Sequence, residues 1–297
     1  MEMKKSKGSV FAQIMINLVL ILLCLTCVIP IVSVISIALS EESDIFEYGY
    51  QLFPKSITLD AFKMVFKNPK SIINGYKVSF LVTFVGSVAG LILSALIAYP
   101  LSREDFAYRK YLSFYVTFTM LFNGGMIPTY ILMTQYLNLK DSILALIFPN
   151  LINVWHIFLL RSFFATVPRS LIEAAKIDGA GEMLIFRTIA MPVCKTGLVT
   201  VLLFYVLIYW NDWYSSLLYI TSEDKYALQY LLVRLMNNLE FISKHMSNMP
   251  IGIDIKSMPK ESTRMAMCLV AAGPMLIAFP FFQKHFVKGI TVGAVKG

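Results

Sequence analysis

Six continuous apolar runs, each at least about as long as the twenty-residue helix that crosses a bilayer, occupy nearly half of this 297-residue chain. They fall at residues 11–39, 78–100, 111–136, 143–164, 197–220 and 265–282. Inside lipid a backbone has to satisfy its own polar groups, so runs of this length and continuity read as helices. The predicted fold class is all-α: a polytopic membrane protein with six transmembrane helices. Charged residues make up only 15% of the chain, against about a quarter in a soluble domain, which argues for the same class.

The spacing of basic residues predicts an orientation. The chain opens on MEMKKSKG, a basic tail ahead of an apolar run of almost thirty residues. A signal peptide has a shorter apolar region, so although Ala38 and Ser40 could mimic a cleavage site, the run reads as a retained first span. With the N-terminus inside, the inner segments hold fourteen Lys/Arg against six Asp/Glu, while the outer ones hold twelve against eleven. The net charge of +8 then lies in short cytoplasmic segments, as the positive-inside rule asks. Both termini are predicted cytoplasmic, with tails at 1–10 and 284–297 around a membrane domain at 11–283. Segments 41–77 and 221–264 are predicted extracellular. In the second, Leu228, Leu231, Leu232, Leu235, Leu239 and Ile242 recur at spacings of three and four, which predicts an amphipathic helix over 226–246. It would lie on the membrane surface or cover a cavity mouth. A shorter helix is predicted near 58–66.

Several chemistries are argued against. Cys24 and Cys27 form a C-x-x-C, but inside an apolar run and without a second pair, so they read as embedded cysteines rather than a metal or redox site. His156, His245 and His285 are scattered, with no zinc spacing; no metal site is predicted. There is no Gly-x-x-x-x-Gly-Lys-Ser/Thr, so the chain has no P-loop for ATP. No catalytic constellation stands out, no internal repeat marks two inverted halves, and the basic residues do not form the aromatic-laced face of a nucleic-acid binder.

Five features stand out from the apolar pattern. Residues 173–192 read EAAKIDGAGEMLIFRTIAMP, in a connection of about thirty residues with two short helical patterns at 171–177 and 182–189, broken by Gly179 and closed by Pro192. A structured helix pair outside the membrane is a docking element. In the second run Gly86, Gly90, Ser94 and Ala98 recur every fourth residue, a stripe that lets helix backbones approach closely; it serves packing within the chain or against another subunit. The third run contains Phe122-Asn123-Gly124-Gly125-Met126-Ile127-Pro128, either a packing kink or a bend lining a cavity. Trp210-Asn211-Asp212-Trp213-Tyr214 places a carboxylate in the fifth run, roughly 12 Å below the outer boundary at 1.5 Å per residue. It reads as a sugar-stacking cluster or as an interfacial aromatic belt with a capping Asp. In the fourth run Asn150, Asn153 and His156 are spaced by three, on one face if the helix is continuous, for interhelical bonding or for lining a polar pathway.

These features carry a resemblance. The loop with Glu173-Ala174-Ala175, Asp178-Gly179-Ala180, Phe186, Ile189 and Pro192 resembles the EAA loop of ABC importer permeases. Residues 98–103 (AYPLSR), the Trp210-Asn211-Asp212 cluster and the final FVKGITVGAVKG resemble the carbohydrate-type permeases of the maltose-importer class. The 122–130 stretch is similar to the branch associated with complex oligosaccharides. The resemblance covers essentially the whole chain and implies the maltose-type permease fold. It implies half of a heterodimeric pore, a homologous second permease subunit, two ATPase subunits and an extracellular solute-binding lipoprotein. Its substrate would be a carbohydrate and its setting the cytoplasmic membrane of a bacterium. The chain itself would catalyse nothing and hold no cofactor; ATP and magnesium would sit on the ATPase partners. The docking loop, 166–195, would present Glu173, Ala174, Ala175, Asp178, Gly179, Ala180 and Phe186. There the alanines permit close approach, Asp178 can cap a helix end, and Glu173 is free to pair with a basic residue of the ATPase. The substrate pathway would use Asn123, Asn153, His156, Trp210, Asn211, Asp212 and Trp213. An ABC permease for another solute, an ion-coupled secondary transporter and a membrane enzyme are the competing classes. The last two lack coupling and catalytic clusters.

Overall fold

The computed structural model describes residues 7–246 and 260–294, and among these every element is helical apart from one isolated antiparallel bridge, Ser40–Ile57. In chain order the helices are α1 (Lys7–Ala38), α2 (Glu42–Tyr48), α3 (Asp60–Val65), α4 (Pro69–Ser102), α5 (Arg109–Leu121), α6 (Met126–Ile131), α7 (Leu144–Ile147) and α8 (Val154–Phe164). They continue with α9 (Arg169–Ile177), α10 (Glu182–Ile185), α11 (Met191–Val193), α12 (Lys195–Asn211), α13 (Tyr214–Tyr219), α14 (Leu228–Met246) and α15 (Glu261–Ala294). The chain divides into two compact units, Met1–Asn68 with Arg234–Gly273, and Pro69–Val233 with Pro274–Gly297.

In the first unit α1 is apolar all round, and its side chains from Ile14 to Ile31 are exposed on every face. A helix of that kind suits lipid or a partner helix rather than water. After it come two short helices, α2 and α3. Glu42 is buried because its carboxylate accepts from Glu261 N–H (2.8 Å), Ser262 N–H (3.1 Å) and Ser262 Oγ–H (2.6 Å). These are orphan donors of the first turn of α15, so an acid placed there satisfies both the hydrogen bonds and the helix dipole. The predicted short helix near 58–66 is α3.

The second unit is built around α4. The small-residue stripe is packed within the chain: a Cβ on Gly86 would lie 2.5 Å from the Tyr209 ring, and one on Gly90 would lie 2.8 Å from the Tyr205 ring. Ser94 Oγ meets Tyr205 Oη at 2.7 Å, and Ala98 is fully buried. Glycine here is a requirement of space, since it lets two tyrosines of α12 lie against the α4 backbone. Tyr209 Oη donates to Ile147 O at 2.8 Å, which fixes that ring in place. In lipid such contact, rather than exclusion of water, holds helices together.

The span count needs refinement. Among the described residues three helices are long and apolar enough to cross unbroken, at Gln13–Ala38, Pro69–Ser102 and Glu261–Phe281; six result only if each of three bent pairs is one span. Arg109–Leu121 and Met126–Tyr136 meet at 108°, Leu144–Asn150 and Val154–Phe164 at 57°, and Glu182–Val193 and Lys195–Asn211 at 83°. The first break follows from Gly124-Gly125, with Gly125 at φ +87°. The second lies between Pro149 and Asn153, whose side chain starts a new helix. Apolar content on both sides of a break hides it from a run count. The fifth run is likewise no single helix: α12 stops at Asn211, before α13. The expected tail from residue 284 is helical as far as Ala294. The amphipathic helix predicted over 226–246 is α14; Leu228, Leu231 and Leu232 are buried and Ser79 Oγ accepts from Leu228 N–H at 2.9 Å.

Candidate functional site

The polar loop folds as predicted into two short helices, α9 and α10, about a glycine turn. Ala180 N–H donates to Ala175 O (2.9 Å) and Gly179 N–H to Lys176 O (3.0 Å). This pair of bonds is the Schellman motif, which puts its C′ residue in the left-handed region. Gly179 sits there at φ +81°, with nothing within 4 Å of where a Cβ would be. The glycine is therefore needed for backbone conformation rather than for room. The chain does not stop at Pro192: a π-helical turn, Phe186–Ala190, runs into α11, and the sharp bend comes at Cys194.

Of the expected docking residues, Glu173, Ala174, Asp178 and Gly179 are exposed, and Ala175 and Ala180 are half-buried. Phe186 is a correction: it is buried, with ring centroids 5.2 Å from Tyr99 and 6.0 Å from Phe164. It packs the loop onto the rings of Tyr99 and Phe164. Asp178 does cap a helix end, that of α9. It holds the C-terminal end of α9 through its backbone, and α10 has no side-chain cap. Neither Glu173 nor Asp178 forms an ion pair among the described residues. Leu171, Ile177, Met183 and Leu184 are also exposed, Ile177 by 86%. Two unpaired carboxylates among exposed apolar side chains make this face suited to another protein.

Beneath the loop lies a charged network that sequence reasoning did not find. Arg103 grips Asp105 with both Nε (2.8 Å) and Nη2 (2.6 Å). Lys176 bridges Asp105 (2.9 Å) and Glu182 (2.8 Å). Tyr99 Oη donates to Glu182 Oε2 at 3.1 Å, and the Arg103 guanidinium lies 3.8 Å from the same carboxylate. Arg169 also pairs with Glu104. The Arg103 hydrogen bonds, then Lys176, hold the Asp105 carboxyl well below its usual range. Partial burial works against ionisation of Glu182, but Lys176, Arg103 and Tyr99 outweigh it, and its pKa is lowered too. The signal was present in the AYPLSR motif that ends α4, though its partners lie some seventy residues on.

The predicted pathway residues divide. Asp212 follows the end of α12 rather than sitting inside a helix. Its Oδ2 accepts from Asn150 Nδ2 (3.0 Å) and Ser215 Oγ (2.6 Å), and its Oδ1 accepts from Ser215 N–H (3.0 Å). It therefore ties the fourth run to the fifth and caps α13. Asp212, Asn150 and Asn123 border a cavity of about 320 Å³ with Thr129, Tyr214 and Ser215. Asn123 Oδ1 accepts from Gly125 N–H at 2.8 Å and stabilises the break beside it.

Trp210 does not join them: it is buried, with its ring 5.2 Å from Phe80. Asn211 turns back to donate to Leu207 O, and Trp213 is partly exposed with its ring 5.7 Å from Tyr214. The expected shared face of Asn150, Asn153 and His156 is broken by the 57° bend. Asn153 caps α8, accepting from Trp155 N–H and His156 N–H. His156 is buried, its ring 4.3 Å from Tyr205.

With this geometry in place the chain can be compared with known proteins. It is 38% identical to a polygalacturonan/rhamnogalacturonan transport system permease protein, YtcP, of Bacillus subtilis strain 168, over 94% of this chain and 96% of that protein. It is 37% identical to protein LplC of the same strain, over 90% and 89%. Among solved structures it matches a bacterial ABC transporter involved in the import of the acidic polysaccharide alginate, with TM-score 0.78 and 26% identity, over 96% of this chain and all of the matched one. Residues 86–292, which include the polar loop, its charged network and Asp212, match the family described as the binding-protein-dependent transport system inner membrane component. The chain belongs to that family of transport permease components.

Proposed function

We propose that this chain is one permease subunit of an ATP-driven importer of oligosaccharides in a bacterial cell membrane. It forms a pore with a homologous second permease, two ATPase subunits bind from the cytoplasm, and an extracellular solute-binding lipoprotein delivers the sugar. ATP and magnesium belong to the ATPase subunits. Both termini and the loop 166–195 are cytoplasmic, and 41–77 and 221–264 are extracellular.

The observation that carries this reading is the exposed face of α9 and its turn: Glu173, Ala174, Ile177, Asp178 and Gly179, held in shape by the Schellman motif. Closure of the ATPase pair moves this face, and the helices above it switch the pore between outward and inward access. The cavity at Asn123, Asn150 and Asp212 offers acceptors and donors to sugar hydroxyls, with the half-exposed Trp213 nearby in sequence. Buried Trp210, buried His156 and the capping Asn153 are supports. The names of the relatives favour carbohydrate over other solutes.

Single-cysteine variants in a cysteine-free background test the arrangement. In the assembled complex, cysteine at Ala174 crosslinks to an ATPase subunit, and cysteine at Asn237, exposed on α14, reacts with an impermeant reagent outside. Labelling of position 174 from outside overturns the orientation and the docking role together.

A further inference from the structure

The docking loop is joined by the chain to α12, yet its strongest side-chain links run to α4. We propose that α4 carries the movement of the loop to the Asp212 cavity, and that Tyr99, Arg103, Asp105, Lys176 and Glu182 form the latch fastening loop to helix. The inference rests on the docking role of the loop.

The latch spans both arms of the loop. Lys176 ends α9 and Glu182 begins α10, so their 2.8 Å bridge closes the Gly179 turn from the side. Both then attach to the end of α4 and the segment leaving it: Lys176 to Asp105, Glu182 to Tyr99 and Arg103. Isolated surface ion pairs contribute little, but bidentate Arg–carboxylate geometry and networks are the exceptions, and both are present. Arg103 is mostly shielded, its side chain 12% exposed. Phe186 adds an apolar contact to Tyr99 in the same place.

The alternative route is weaker. Loop and α12 meet at the single residue Cys194, where the axis turns by 83°. Beyond it α12 is held against α8: a Cβ on Gly197 would fall 2.3 Å from the Phe163 ring, and Cys194 Sγ–H donates to Phe163 O. By contrast α4 continues unbroken for 34 residues, roughly 50 Å at 1.5 Å per residue.

At its far part α4 touches what shapes the cavity. Gly86 and Gly90 seat the rings of Tyr209 and Tyr205. Tyr209 bonds to Ile147 O and Tyr205 to Leu151 O, on either side of Asn150. Asn150 in turn holds Asp212. Displacement of α4 therefore moves the two tyrosines and, through them, the segment that presents Asn150 to the cavity. These latch side chains act through α4 and are positioning residues.

The test uses the complete complex reconstituted in liposomes, measuring labelled oligosaccharide moved per ATP hydrolysed, with retention of the ATPase subunits scored on the same sample. For Arg103→Gln with Glu182→Gln the ATPases stay bound and hydrolyse ATP, while sugar moved per ATP falls by about fivefold or more, the lower end of ordinary coupling between sites. Tyr99→Phe removes one oxygen and keeps the ring against Phe186; it lowers the ratio in the same direction, and its near-identical shape separates the effect from misfolding. Cys194→Ala, at the joint to α12, leaves the ratio unchanged. A wild-type ratio in both latch variants overturns the proposal, as does a loss confined to Cys194→Ala. Release of the ATPases by the latch variants assigns these residues to docking instead, and overturns the latch while sparing the docking role.

Discussion

At the scale of single residues the glycines separate space from conformation. Gly86 needs space: Tyr209, the ring a Cβ would strike, is tethered to Ile147 O and cannot swing aside. Gly86→Ala therefore lowers the stability of the purified complex by about 1–3 kcal/mol, the usual range for overpacking, read as a lower thermal midpoint. Gly124→Ala is the control: its nearest neighbour would be Pro128 at 3.7 Å, an ordinary contact, and the midpoint stays put. The charged side chains give a second test, in pH. Asp105 and Glu182 both have folded pKa values lowered by their cationic partners. A depressed carboxylate pKa contributes stability that is fully present above the ordinary range, near ~4, and is lost as pH falls through the lowered value. The difference in thermal midpoint between wild type and Asp105→Asn is thus constant between about pH 6 and pH 8 and shrinks only below about pH 4. A difference that disappears near neutrality contradicts the latch geometry.

At the scale of elements, the apolar runs and polar interruptions were legible from sequence, because both follow from composition over windows of a helix length or so. The loop was legible in more detail. Its two helical patterns and its glycine turn are fixed by local spacing, and α9, α10 and Gly179 stand where that spacing puts them. What local reading missed depends on partners far along the chain. Trp210 looked available for stacking, but Phe80 and Tyr76, some 130 residues earlier, cover it. Asn150, Asn153 and His156 suggested one polar face, but a bend between them assigns each a different neighbour. Lys176 and Glu182 were read only as part of a loop, since nothing nearby in sequence announces Arg103 and Asp105 beneath them. Asp212 shows how the two readings of one residue merge: it caps α13 and borders the cavity at once. Asp212→Ala removes the acceptor shared by Asn150 and Ser215, costing about 1–3 kcal/mol for donors left without a partner. The complex still assembles with its ATPases, and oligosaccharide uptake drops severalfold. Undiminished uptake by this variant removes the cavity from the pathway.

At the scale of the whole molecule, the chain reads as a transducer between two surfaces. One is the exposed acidic and apolar face at Glu173–Asp178, which we propose meets an ATPase; the other is the cavity at Asn123, Asn150 and Asp212, which we propose receives sugar hydroxyls. Between them stand α4 and the tyrosines of α12. The central claim is that a formed α9–α10 turn is what connects ATP hydrolysis to transport. Gly179→Val addresses it directly, because a β-branched residue at φ +81° meets strain of about 1–2 kcal/mol or more, while its Cβ would have no neighbour within 4 Å. The decisive measurement is ATP-driven uptake of labelled oligosaccharide by proteoliposomes carrying the complete complex, wild type against Gly179→Val, with bound ATPase quantified in the same preparation. The variant is expected to receive sugar from the binding protein but to lose ATP-driven uptake or shed its ATPase subunits. Full ATP-driven uptake by Gly179→Val, with the ATPases still bound, would contradict it.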